Sequence, residues 1–282
     1  MRWQTIGFNK NKNLFEDIIT NKRLGHSYLF WGEDMIGKKT FATELCFIMN
    51  DEEYHSDLDS LVIAPKILEG ETKIYIEDIR NLKSFLSFRP LFGKYRIAII
   101  DDADRLTPEA TNAILKILEE PPSSGLLILI SSRPKALPKT IYSRCHHIHF
   151  ANHREAIIRE YIAKEKINSG DSEFLFRLSR GRIGWLARVI SENKLTGIKK
   201  DIIDFEGSIE AGVFEKMTYA KKLADREDCI DVINNLIYYF STDIDSIVKN
   251  KNVLRQLAKT YKIISQPQYN RRLMLENFVL SL

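Results

Sequence analysis

Between Ser27 and Phe150, short aliphatic runs alternate with segments whose apolar residues recur at helical spacing. The runs Ser27–Trp31, Leu61–Ala64, Arg96–Ile100 and Leu126–Ile130 are continuously apolar over most of their length, with His146–Phe150 a weaker fifth. Strands covered on both faces read this way, and the cover must be helical, so the pattern predicts an α/β domain on a five-stranded parallel sheet. The clearest connecting helix is Pro108–Glu120, where Ala110, Ala113, Ile114, Ile117 and Leu118 fall on one face. Thr107 is suited to cap its start, Pro108 to its first position, and Pro121 and Pro122 to stop it.

The strand signal ends at Phe150. Arg154–Ile167, Asp171–Arg180 and Gly184–Lys194 read as three helices, with Gly181 placed to end the second in a left-handed conformation. From about Lys199 to Leu282 the pattern stays helical, and Ile202, Phe214, Leu223, Ile233, Leu236, Phe240, Leu257, Leu273 and Phe278 are among its expected buried positions. A chain of 282 residues exceeds one ordinary core. The expected organisation is an α/β domain over 1–150, a small helical lid over 151–198 and an all-helical domain over 199–282.

Composition narrows the function classes. The longest aliphatic run, Leu126–Ile130, is far short of the roughly 20 residues a membrane helix needs, and Met1–Thr20 has no apolar signal core. The expectation is a cytoplasmic protein with no membrane partner. A net charge of +4, from 42 basic and 38 acidic residues, is too small for a dedicated nucleic-acid binder, so any DNA contact is local or shared with partners. Cys46, Cys145 and Cys229 lie far apart with no Cys-x-x-Cys, which gives neither a local zinc knuckle nor a disulfide framework. Between Asn50 and Ser60 stand acidic residues and His55 but no cysteine, so no bound metal is predicted.

The first aliphatic run leads into Gly32, Glu33, Asp34, Met35, Ile36, Gly37, Lys38, Lys39, Thr40 and then a helix, the setting in which backbone N–H groups cradle phosphate. The stretch resembles a P-loop with departures. Lys39 stands where a Ser or Thr would ligand Mg²⁺, and Thr40 comes one residue late, turned by about 100° around the helix. Asp34 and Met35 occupy positions where a glycine usually lets backbone approach phosphate. Gly32, Gly37, Lys38, Lys39 and Thr40 are therefore candidate contacts of a degenerate pocket; an inert turn and weak ATP/Mg binding both remain open.

Asp101 and Asp102 follow Arg96–Ile100, at the carboxyl end of a central strand where parallel sheets bind ligands. The pair resembles a Walker B site in which Asp101 can hold Mg²⁺ through water. Asp102 stands where catalytic ATPases carry Glu, and its carboxylate stands back by about 1 Å, enough to matter for chemistry.

The longer string Asp101–Pro122, DDADRLTPEATNAILKILEEPP, resembles the signature of the clamp-loader family of AAA+ proteins. HSYLFWG at His26–Gly32, Leu91–Lys94, and Ser-Arg-Cys at Ser143–Cys145 agree with it, as does the helical close at Asn270–Leu282. The resemblance implies a RecA-like AAA+ domain, a lid and a collar, assembled with gamma/tau and delta subunits, with the sliding clamp and primer-template DNA reached through the assembly. It also implies that Arg144, of the Ser-Arg-Cys motif, serves in trans as an arginine finger on ATP held by a neighbour. Catalytic relatives carry an arginine three residues beyond a glycine in the lid; counted from Gly181, that place holds Gly184.

Three substitutions at three nucleotide contacts beside an intact finger point to a subunit without catalysis. An active ATPase of the gamma/tau type is the alternative, and a freestanding nucleotide kinase is a third reading that needs neither the Ser-Arg-Cys segment nor the collar. His146, His147 and His149 read as surface histidines. Arg80, Lys83, Arg89, Lys94 and Arg96, and separately Arg133, Lys135 and Lys139, read first as solvated faces, with a DNA-facing or subunit-facing surface as the other reading.

Overall fold

In the computed structural model of the protein, all residues are described below except 1–2, 51–57, 69–70, 166, 243 and 265–268. His55 lies outside the described residues. The chain divides into two compact units, one comprising Met1–Ile157 with Gly181–Gly184, the other Ile158–Arg180 with Trp185–Leu282.

The first unit opens with α1 (Asn9–Thr20), β1 (Ser27–Trp31) and α2 (Lys38–Met49), followed by β2 (Ser60–Ile63) and a hairpin of β3 (Lys66–Leu68) and β4 (Glu71–Lys73). Then come α3 (Ile76–Ser87), β5 (Arg96–Ile100), α4 (Pro108–Glu119), β6 (Gly125–Ser131), the short α5 (Lys139–Tyr142) and β7 (His146–His149). The five expected strands form one parallel sheet in the order β2-β5-β6-β1-β7. The three central strands β5, β6 and β1 are buried on both faces, as their apolar runs require, whereas the edge strands β2 and β7 are partly exposed. Tyr28, Phe30, Ile97, Ile99, Leu126 and Ile128 point to one side, where Phe15 of α1 and Phe41 and Leu45 of α2 cover them. Leu29, Ala98, Ile100, Leu127 and Leu129 point to the other, against Ile79 and Leu82 of α3 and Ile114 and Ile117 of α4.

The start of α4 is as its sequence dictates, with Thr107 Oγ1 accepting from the N–H of Ala110 at 3.2 Å and Pro108 in the first turn. The basic set on α3 and the following loop needs one correction. Arg96 is buried, not solvated: its Nε lies 3.4 Å from the carboxylate of Asp59 and donates to the carbonyl of Arg89. Asp59, also buried, accepts from the N–H groups of Leu91, Phe92 and Gly93, each at 2.8 Å. Three backbone donors and a guanidinium replace the water this carboxylate has lost.

Helices follow to the end of the chain: α6 (Glu155–Lys164), α7 (Ser169–Ser179), α8 (Ile183–Ser191), α9 (Leu195–Ile209), α10 (Val213–Ala224), α11 (Cys229–Phe240), α12 (Ile244–Lys249), α13 (Lys251–Ile264) and α14 (Arg271–Leu280). The first three overlap the three helical segments expected between Arg154 and Lys194, with ends that differ by one to three residues. The helix α7 ends through Arg180, itself left-handed at φ 48°, with Gly181 at φ 82° following it. In the second unit Ile202, Leu223, Ile233, Leu236, Phe240, Leu257 and Phe278 are buried, and the rings of Phe205 and Phe278 stack at 5.9 Å. Phe214 and Leu273 are exposed, against expectation, at 80% and 50%. Helical spacing alone does not say which apolar stripe meets a neighbour. Among the described residues no helix is long and apolar enough to cross a membrane.

Candidate functional site

The strand order fixes the place of the site. Since β6 pairs with β1 on one side and β5 on the other, the turns leaving β1 and β5 flank the carboxyl end of β6. This is where a parallel sheet presents loops to a ligand. The loop Gly32–Gly37 leaves β1 and enters α2, with Gly37 as its N-terminal cap at φ 105°. Gly32 is required by proximity, because a Cβ there would fall 2.1 Å from the carbonyl oxygen of Phe150. Met35 takes φ 57°, a left-handed conformation that costs a non-glycine residue about 1–2 kcal/mol.

The loop is held by groups of its own chain. Buried Lys38 donates to the carbonyls of Gly32 at 2.9 Å and Glu33 at 2.6 Å. The N–H of Gly184 donates to the carbonyl of Met35 at 2.7 Å, and Nε2 of His153 to the carbonyl of Ile36 at 3.0 Å. A Cβ on Gly184 would stand 2.6 Å from the Met35 carbonyl oxygen. The glycine at the lid position is thus a packing requirement, and an arginine there has no room in this arrangement. Above Gly37, the space a Cβ would enter is bounded by the ring of Phe8 at 3.5 Å and by Ile183 at 3.9 Å.

Across the cleft, the ammonium of Lys39 lies 3.1 Å from Asp101. Asp102 sits at φ 48° with its carboxylate 3.5 Å from Nε of Arg105. Burial, with the nearby charges of Asp101 and Asp34, raises its pKa above the ordinary carboxylate value. Burial lowers the pKa of Lys38, against the opposing pull of Asp34, Asp102, Asp101 and Asp104. Thr40 is exposed on α2 and does not take the place of the missing hydroxyl. The residues, so arranged, do not fit a magnesium nucleotide: Lys38 is turned into its own loop, the ammonium of Lys39 faces the carboxylate of Asp101, and the N–H of Gly184, in the first turn of α8, is bonded to the loop.

Sequence reading missed Asp104, whose side chain is almost fully buried. It accepts from Ser131 Oγ at 2.7 Å and from Nε of Arg133 at 2.9 Å, which ties the turn after β5 to the end of β6. Its signal was present as a third acidic residue after the strand, but its partners lie 27 and 29 residues away.

Arg144 lies on the other side of β1, just beyond α5. Its backbone is fixed, with its N–H donating to Ile141 at 3.1 Å and its carbonyl accepting from Ser27 Oγ at 2.7 Å. Its side chain is 37% exposed, with NH1 donating to the carbonyl of Thr140 at 3.1 Å and NH2 2.9 Å from the carboxylate of Glu119. His146, His147 and His149 are exposed on the edge strand, and no group of three or more metal-ligating side chains is found among the described residues.

Sheet order, the loop between β1 and α2, and the acidic turn after β5 define a P-loop protein of the AAA+ type with a mostly helical C-terminal part. The sequence model of the family described as DNA polymerase III, delta subunit, matches residues 7–154, more than half of the chain, and the chain belongs to that family. It is 29% identical over 171 residues to the DNA polymerase III subunit gamma/tau of Mycoplasma pneumoniae, covering 57% of this chain and 25% of that protein. To subunit tau of Bacillus subtilis it is 31% identical over 149 residues, covering 48% of this chain and 26% of that one. The chain therefore spans only about a quarter of either relative. A DNA polymerase III gamma subunit-related protein from Thermotoga maritima superposes with a TM-score of 0.58 at 20% identity, covering 94% of this chain and 97% of that one. The RuvB Holliday junction branch migration motor of the same organism gives 0.54 at 14%, covering 87% and 95%. These two share the fold.

Proposed function

We propose that the chain is a clamp-loader subunit of the delta-prime type, which assembles with gamma/tau and delta subunits in the cytoplasm, lends Arg144 to the ATP site of a neighbour and turns over no ATP of its own. The observation that carries this reading is a contrast between two sites on one domain. The loop after β1 is bonded to its own lysine, histidine and lid glycine, whereas Arg144 stands partly exposed on a fixed backbone. A guanidinium offers a planar fork of donors to phosphate oxygens, and such a finger is worth roughly 10³–10⁵ in rate. The chain's contribution to the neighbour's reaction is to hold that fork in place. Contact with the sliding clamp and primer-template DNA belongs to the assembly.

The identity to gamma/tau relatives favours a second reading, an active ATPase in which Lys39, Asp102 and Gly184 are tolerated. Two measurements separate the readings. Gel filtration with gamma/tau and delta subunits tests assembly, and failure to co-migrate would remove both. Equilibrium titration of the chain with a Mg-bound fluorescent ATP analogue then tests the pocket, where saturable binding at micromolar concentration would favour the ATPase.

A further inference from the structure

We infer that Glu119 is a positioning residue for Arg144, holding the guanidinium in the orientation it presents to the neighbouring subunit. The inference rests on the finger reading above. Glu119 is the last residue of α4 and Arg144 lies beyond α5, so the 2.9 Å contact joins two residues 25 positions apart in the chain. Both ends stand on core: Ile114 and Ile117 anchor α4, and the fully buried Ile141 anchors α5.

Neither helix stability nor fold stability accounts for a glutamate at this place. A negative charge in the last turn opposes the helix dipole, which favours cations there. An ion pair with side chains 37% and 51% exposed contributes little to folding. What the pair does is restrict a long side chain. Arginine is rich in rotamers, and one that must be ordered when it meets phosphate loses that freedom at the moment of reaction. The Thr140 carbonyl accepts from NH1, and the carboxylate of Glu119 pairs by charge with NH2, the other terminal nitrogen, so the planar fork is held at both of its tips. Ser27, bonded to the Arg144 carbonyl, fixes the backbone from which the side chain departs.

The test is a double-mutant cycle in the loader reconstituted with clamp and primed DNA, with this subunit native, Glu119→Gln, Arg144→Ala or both. Turnover and KM for ATP are measured for each, alongside the melting temperature of each subunit. Glu119→Gln is expected to lower kcat by about three- to tenfold, less than the roughly hundredfold loss that a 1 Å misplacement of a reacting group can cause, with KM unchanged. The double variant is expected to be no slower than Arg144→Ala alone, because a positioning residue has nothing to position once the arginine is gone. Native kcat in Glu119→Gln beside a large loss in Arg144→Ala would overturn the inference and leave the finger standing. A Glu119→Gln loss that persists in the Arg144→Ala background, or comes with a lowered melting temperature, would equally overturn it, as damage to the subunit. Native turnover in Arg144→Ala would remove the finger reading and this inference with it.

Discussion

The ammonium of Lys39 lies 3.1 Å from a carboxylate oxygen of Asp101. At the two positions where a P-loop ATPase would share a divalent ion, this chain has a cation and an anion of its own.

The first consequence concerns ligand response. A ligand present at 100 times its Kd adds about 2.7 kcal/mol to stability, several degrees in the melting of a small domain. Millimolar Mg-ATP is predicted to leave the melting temperature of the isolated chain unchanged in differential scanning fluorimetry. A rise of several degrees would mean that the loop opens and the pocket fills.

Gly184 provides a second test. A side chain there meets the Met35 carbonyl at 2.6 Å and breaks the 2.7 Å bond from the Gly184 N–H. Gly184→Arg, which restores the arginine of catalytic relatives, is predicted to destabilise the first unit by about 1–3 kcal/mol, the usual cost of overpacking, and to confer no nucleotide binding. Urea denaturation reads the stability, and a variant as stable as the native chain would contradict the packing account.

Asp59 has an acid-side signature. Burial alone would raise its pKa, but the N–H donors of Gly93, Leu91 and Phe92, with Arg96, outweigh it and hold the carboxyl below its ordinary value. The folded-state value is lower than the unfolded one near 3.9, so the stabilisation is whole above that pH and is lost as pH falls through the folded value. Asp59→Asn is predicted to cost about 2–4 kcal/mol at pH 7, since it leaves Arg96 buried without its anion, and the gap to the native chain should narrow below about pH 4. Denaturation curves at pH 7, 5 and 3.5 follow it; a gap constant with pH would be evidence against the carboxylate's role.

His153 titrates in a different window. Burial depresses its pKa, against the hydrogen bond to the Ile36 carbonyl, which makes Nε2 the protonated nitrogen of a neutral ring. Below the unfolded value near 6.5 the unfolded chain takes up a proton that the folded chain resists, so stability falls as pH drops from there. His153→Gln should flatten the stability profile between about pH 6.5 and 5.5 while lowering its plateau. An unaltered slope would place the titration elsewhere.

Much of the sheet was legible because strands covered on both faces read as continuous apolar runs too short for helices. Ser27–Trp31 and Arg96–Ile100 appear with the predicted ends, and α4 differs by one residue at its C-terminus. The hairpin of β3 and β4 went unread, since Lys66–Leu68 and Glu71–Lys73 are short, exposed and mostly polar. At the site, the residue types were legible and their partners were not. Lys39 was recognisable as a misfit in its motif, but that it pairs with Asp101 follows only from the adjacency of β1 and β5 to β6. The donor to Met35 and the glutamate beside Arg144 are likewise set by topology, whereas the acceptors of Lys38 lie within its own loop. Arg96 was misjudged for the same reason: its anion, Asp59, lies in another part of the chain.

The central claim is that this chain supplies an arginine to a neighbour's ATP. It is tested most directly by the clamp- and DNA-stimulated ATPase of the reconstituted loader with this subunit native or carrying Arg144→Ala. The account predicts a fall of about tenfold or more in turnover with the assembly intact on gel filtration. Unchanged turnover in an intact assembly would contradict it and reduce the subunit to a scaffold.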